Sequence, residues 1–138
     1  MLRSSWTPGP AGTGGPVLVS VTAFTCDHVL DLPRIHRAGR RLSRLWPSLD
    51  GAVGHWLWAE PLRRRCGSVS LWESRQAMRD FVRLPVHVEI VREFRDRGTV
   101  RSTTWTADDP DLPGTWRRAT EFLGRQQGES RTGSYSAR

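Results

Sequence analysis

The stretch SVSLWESRQAMRDFVRLPVHVEIVREFRDRGTVRSTTW, Ser68 to Trp105, decides the fold. Its opening, read from Cys66 to Glu73, has the length and alternation of a strand. Ser74 then offers an N-cap to a long helix in which Ala77, Met78, Phe81, Val82 and Leu84 share one arc. Pro85 interrupts that helix with a bend, Gly98 closes it, and Val100 to Thr106 (VRSTTWT) returns to a strand. A strand, a helix and a strand in this order are half of a split β-α-β arrangement.

The other half lies upstream. Val17 to Cys26 (VLVSVTAFTC) is rich in β-branched residues and reads as the first strand. Asp31 can cap a helix with Pro33 in its first turn, where Ile35, Ala38, Leu42 and Leu45 recur on one face until Pro47. Arg37, Arg40 and Arg44 on its other side read as a solvated face. Ala52 to Ala59 (AVGHWLWA) reads as the second strand, and Thr115 to Leu123 as a short terminal helix. The order β-α-β-β-α-β predicts an α+β, ferredoxin-like domain, a four-stranded antiparallel sheet with two helices on one face. Residues 1–16, rich in Gly and Pro, are expected to form a flexible leader, 17–123 the single domain, and 124–138 a disordered polar tail.

A chain of 138 residues has room for one core. No apolar run approaches the roughly 18 residues of a membrane span, and no secretory apolar region opens the chain, so a cytoplasmic protein is expected. Cys26 and Cys66 have no metal-ligand spacing. The net charge of +7 comes with 21 arginines and no lysine, a bias that a GC-rich genome produces, which weakens charge as a sign of nucleic-acid binding. It stays compatible with an anionic substrate or an acidic partner.

Two helices cover one face of such a sheet, yet large apolar residues point both ways. Val53, Leu57 and Ala59 alternate with Trp56 and Trp58, and Val69 and Leu71 with Trp72. The second face needs a cover, and a second copy packed sheet to sheet in a dimeric α+β barrel supplies one, hence an expected homodimer. Tryptophans that stack RNA bases are the rival reading, but CGSVSLWE lacks the ribonucleoprotein motif of that module.

His87 falls on the apolar arc of Val86, Ile90, Val91 and Phe94, opposite Glu89, Arg92, Glu93 and Asp96. Burial keeps an imidazole neutral, the state a general base or metal ligand requires, and equally that of a hydrogen-bonded core histidine. Trp72, just before the helix cap, is placed either at the mouth of a pocket between helix and sheet or in the core.

The run Ser70-Leu71-Trp72-Glu73-Ser74, with Ala77 to Phe81, Leu84-Pro85-Val86-His87 and Val91-Arg92, resembles the antibiotic-biosynthesis-monooxygenase-like proteins. That resemblance, which extends to distant relatives similar to spheroidene monooxygenase, implies a dimeric α+β barrel. It also implies a cofactor-free oxygenase of aromatic polyketides or a haem-degrading enzyme. Trp72 matches the pocket tryptophan of both branches, and His87 a histidine frequent at this helix position. The haem-degrading branch places its iron-binding histidine one turn later, where this chain has Val91, and its strand-one asparagine is missing from Val17 to Phe24.

The resemblance therefore implies a monooxygenase acting, with no cofactor or metal, on a small hydrophobic aromatic or polyketide-like substrate. In that chemistry the deprotonated substrate reacts directly with dioxygen. His87 or His55 would be the base, Trp72, Trp56 and Trp58 the cavity wall, Phe81 and Val91 further contacts, and Arg83 or Arg101 the cation for the developing anion. Tyr135, the one tyrosine, sits in the tail. An oxygen-independent cyclase, dehydratase or isomerase is the alternative on the same scaffold. A third is a haem-binding (through His87) or non-catalytic ligand-binding dimer.

Overall fold

The computed structural model describes residues 1–129. Two short strands, β1 (Leu2–Arg3) and β2 (Thr7–Pro8), precede β3 (Val17–Cys26), α1 (Leu32–Ser43), β4 (Ala52–Glu60), β5 (Arg65–Trp72), α2 (Arg75–Val82), α3 (Pro85–Phe94), β6 (Gly98–Ala107) and α4 (Leu112–Glu129). The main strands run in the order β4-β5-β3-β6, all antiparallel. This is the ferredoxin-like topology that the sequence predicted.

The long helix expected after Ser74 is two helices. Ser74 caps α2 by accepting a hydrogen bond from the Ala77 N–H at 3.1 Å. Leu84 is extended (φ −59°, ψ 139°), as a residue before proline prefers to be, and Pro85 starts α3 where its missing N–H costs nothing. Pro85 is thus a helix start and not a bend. Gly98, expected to close that helix, instead begins β6 opposite Cys26, where a side chain would strike the Thr25 carbonyl at 2.2 Å. Asp31 precedes α1, but its carboxylate makes no cap. It pairs with Arg34 and Arg97 at 3.4 Å each and so ties α1 to the end of α3.

Helices α1 to α3 lie on one face. Phe24, Cys26, Leu32, Ala59, Cys66 and Phe94 pack together there, and Leu18, Trp46, Ala52 and Trp72 form a second cluster. The other face carries Val17, Val19, Val21, Val69, Leu71, Trp56 and Trp58, and α4 covers it with Trp116, Ala119, Phe122 and Leu123. The apolar surface from which a homodimer was expected is therefore sealed within the chain. A register shift at Ala52/Gly54 moves Val53 to this α4 side, away from Leu57 and Ala59. Arg65 latches the helix: it donates to the Leu123 carbonyl at 3.1 Å, lies 5.6 Å from the Trp58 ring centroid and pairs with Glu60.

Both termini depart from the expected flexible segments. Leu2–Arg3 and Thr7–Pro8 pair with β4, whose free edge offers the backbone partners. Trp6 fills the space left by Gly54, where a Cβ would lie 2.1 Å from its ring, and meets Trp56 at 4.6 Å. Arg3 stands over both Trp56 and Trp116, at 5.3 and 4.7 Å from their ring centroids. The terminal helix is longer than predicted and takes in the first part of the expected tail, whereas 130–138, including Tyr135, lies outside the described residues. Among the described residues no helix is long and apolar enough to cross a membrane.

Leu123 is fully buried between α4 and the sheet. Leu123→Ala should destabilise the fold by about 3 kcal/mol, the usual scale for a cavity-forming truncation, read from urea unfolding midpoints. A loss below about 0.5 kcal/mol, the range of a surface substitution, would mean that α4 does not seal this face.

Candidate active site

The two-residue period of β3 and β5 gives the helix-covered face its chemistry. Ser20 pairs with Ser70 and Thr22 with Ser68 across the strands, so four hydroxyl side chains form a two-by-two floor. Above it lies a cavity of about 430 Å³, bounded by α1, α2 and α3. Its volume follows from small residues, since the floor side chains on the sheet are hydroxyls and Gly39 presents no side chain from α1.

An aromatic cluster forms one end. Trp46 stacks on His55 with centroids 4.1 Å apart and touches Trp72 at 4.9 Å and Phe81 at 5.2 Å. Trp72 meets Phe81 at 5.3 Å, and Phe81 meets His87 edge-on at 5.0 Å. The two histidines thus stand at the two ends of a single chain of rings. The Trp72 indole N–H donates to Ser70 Oγ at 3.0 Å, and Ser70 Oγ lies 3.5 Å from the Ser20 carbonyl. Trp72 is only 1% exposed, so it is an inner wall and not the mouth. Trp46 also borders the cavity, and its buried indole N–H has no acceptor among the described residues.

His55 is held from two sides, by the Trp46 ring and by Ser43 Oγ, 3.0 Å from Nε2. Burial pushes its imidazole down from 6.5 to about 4, against a smaller opposing contribution from a backbone hydrogen bond at Trp56. It is neutral at physiological pH. Burial likewise pushes the Cys66 thiol, at the cavity edge, up to about 12, and raises that of Cys26. Neither is a nucleophile at neutral pH. Among the described residues no group of three or more His, Cys, Asp or Glu gathers to hold a metal ion.

Of the residues singled out from sequence, His87, Trp72, His55, Phe81 and Val91 border this cavity. Trp56 and Trp58 do not. They alternate with His55 and Leu57 along β4 and are buried beneath α4. Arg101 sits opposite Ala23, a residue of the α4 side, and Arg83 is exposed in the turn between α2 and α3, so neither reaches the cavity. Sequence reading missed the hydroxyl floor, Trp46, His36, Arg92 and Arg95, all of which border it. The floor had a signal: serine or threonine at every second position in the middle of both β3 and β5.

The architecture is that of the antibiotic-biosynthesis-monooxygenase-like α+β proteins. SnoaB, a cofactor-independent oxygenase from Streptomyces nogalater, superposes with a TM-score of 0.57 at 19% identity, over 70% of this chain and 97% of SnoaB. A candidate antibiotic biosynthesis monooxygenase from Deinococcus radiodurans gives 0.60 at 11% identity, over 68% of this chain and 95% of its own. One from Nitrosomonas europaea gives 0.58 at 8%, over 68% and 90%. No family model and no curated protein matches the sequence.

The depressed His55 imidazole has a pH signature. Between about 4 and 6.5 the unfolded chain takes up a proton at this residue that the folded chain refuses. Its contribution is therefore intact above 6.5 and lost as pH falls toward 4, on the order of 3 kcal/mol in all. Urea unfolding at pH 7.5 and 4.5 should show a smaller drop for His55→Gln than for the wild-type chain. Parallel drops would mean that His55 is not the buried, neutral group described.

Proposed function

We propose that this protein is a small-molecule oxygenase acting, without metal or organic cofactor, on an electron-rich aromatic substrate bound in the cavity. The observation that carries this reading is the ring cluster that joins His55 to His87 above a floor of hydroxyls. Flat aromatic walls suit a flat aromatic ligand, and hydroxyls suit its oxygen atoms. The shared fold with SnoaB, described as a cofactor-independent oxygenase, supports the same reading.

His87 is the base. It is partly buried, borders the cavity and sits on α3 against Phe81. His55, whose imidazole burial has lowered to about 4, is a poor proton acceptor at neutral pH and serves as wall. His87 removes a proton from an activated CH2 of the substrate, and the carbanion is oxidised by dioxygen as a C–O bond forms. Loss of water then leaves C=O where CH2 stood: one O2 is consumed, one oxygen atom enters the product and the other leaves as water. The floor hydroxyls face the substrate oxygens, and Trp72, fixed by its bond to Ser70, helps to exclude solvent.

An anthrone-type phenol incubated under air should give the quinone, and under nitrogen nothing. His87→Ala should lower kcat by about 10²-fold or more, with a smaller change in KM. Conversion that persists without oxygen would favour the cyclase or dehydratase chemistry of the same cavity. Equal turnover by the His87→Ala variant would remove His87 from the mechanism. If haem were the ligand, His87 would be the residue to hold it, and a haemin titration would then raise a Soret band that this substitution abolishes. We expect no such band.

A further inference from the structure

The wall of the cavity is one-sided in charge. It includes His36, His55, His87, Arg92 and Arg95, and among the described residues it has no aspartate or glutamate. The carboxylates of α3 are turned elsewhere. Glu93 pairs with Arg34 of α1 at 2.9 Å, and Glu89 approaches Arg41 at 3.9 Å. Arg92 and Arg95 are exposed residues of the same helix end that border the cavity, and neither guanidinium has an ion pair, hydrogen bond or ring contact with any described residue. A cation near a helix C-terminus complements the backbone dipole, which would explain one basic residue there. It does not explain two guanidinium groups placed at the rim of a cavity whose wall has no acidic side chain among the described residues, since arginines on the outer side of α3 would serve the dipole equally.

We infer that the substrate is an anion: an aromatic body that enters the cavity and a carboxylate that stays at the rim, held by Arg92 and Arg95. Guanidinium groups suit this partner, because their planar donors match the two oxygens of a carboxylate. The position also suits it. At the rim the carboxylate keeps part of its hydration, whereas deeper burial would strip that away against only hydroxyl dipoles. The head group then fixes which edge of the body reaches the floor, so the two arginines are specificity residues for the reaction proposed above. This inference rests on that reading of the cavity as the substrate site.

Binding tests it apart from turnover. Anthraquinone-2-carboxylate and its carboxamide differ in charge and hardly in shape, and both should quench the fluorescence of Trp46 and Trp72. In the wild-type chain at pH 7.5 the acid should bind at least 10-fold more tightly than the amide. In Arg92→Gln/Arg95→Gln that preference should fall below 2-fold, with the affinity for the amide unchanged. Arg37→Gln/Arg40→Gln removes the same two charges from the outer face of α1 and should leave the preference intact, which separates location from net charge. A preference that survives in the rim variant, or falls equally in both variants, overturns the assignment. Equal affinity of acid and amide in the wild type overturns the anionic head group and leaves the cavity as an aromatic site. Binding of neither overturns both readings.

Discussion

On β3 and β5 the side chains alternate between two environments, and the register that fixes this alternation governs everything built on the sheet. Val19, Val21, Val69 and Leu71 are fully buried under α4, while Ser20, Thr22, Ser68 and Ser70 floor the cavity. A slip of one residue in either strand would exchange the two sets on that strand. Its hydroxyls would then lie beneath an apolar helix with no partners, at a cost of order 1–3 kcal/mol each on mutational scales. A slip of β5 would also turn Trp72 away from Trp46 and Phe81. The fold and the site are therefore held by one constraint.

Sealing one face is also what permits a cavity on the other. With α4, Trp6 and the arginines Arg3 and Arg65 closing the far side, most of the sheet's large apolar residues pack there. The near side can then afford small residues at its centre. Its packing is concentrated at the two ends, in the cluster around Phe24 and Phe94 and in the one around Trp46 and Trp72. Between them lies the cavity. Separation of α2 from α3 at Leu84 and Pro85 contributes, because α3 takes its own direction and brings His87 to the cavity wall.

The main strands were legible to within a residue or two because β-branched runs and Gly/Pro boundaries are local signals. The first strand, Val17 to Cys26, was read with its observed limits. His87 and Phe81 were also legible, since helical periodicity orients side chains without reference to the rest of the chain. What failed required knowledge of the partner layer. Trp56 and Trp58 looked like cavity wall because β4 carries large residues on both faces, and only α4 decides which face is filled. Arg101 depended on the pairing of β6 with β3, which no local pattern reveals. The uncovered face that the sequence suggested arose from the same gap: the spacing of Trp116, Ala119, Phe122 and Leu123 was present in the sequence, but a short helix on its own does not announce the sheet it covers.

The two histidines show what this arrangement does to charge. His55 lies on the sheet, 2% exposed, with Trp46 against its ring, and its imidazole resists protonation until about pH 4. The inner end of the cavity is thus a place where a full charge is costly and where the polar groups on offer are dipoles: the hydroxyls of Ser20, Thr22, Ser68 and Ser70. A neutral aromatic body fits such a place, and a negative charge that develops on it during reaction gains from fixed dipoles that need no reorganisation. A permanent charge does not fit, and belongs at the rim, where Arg92 and Arg95 are still in contact with solvent. The gradient from exposed guanidinium to buried hydroxyl is the physical basis of the orientation proposed for the ligand, with its reacting edge directed toward the ring cluster between His87 and His55.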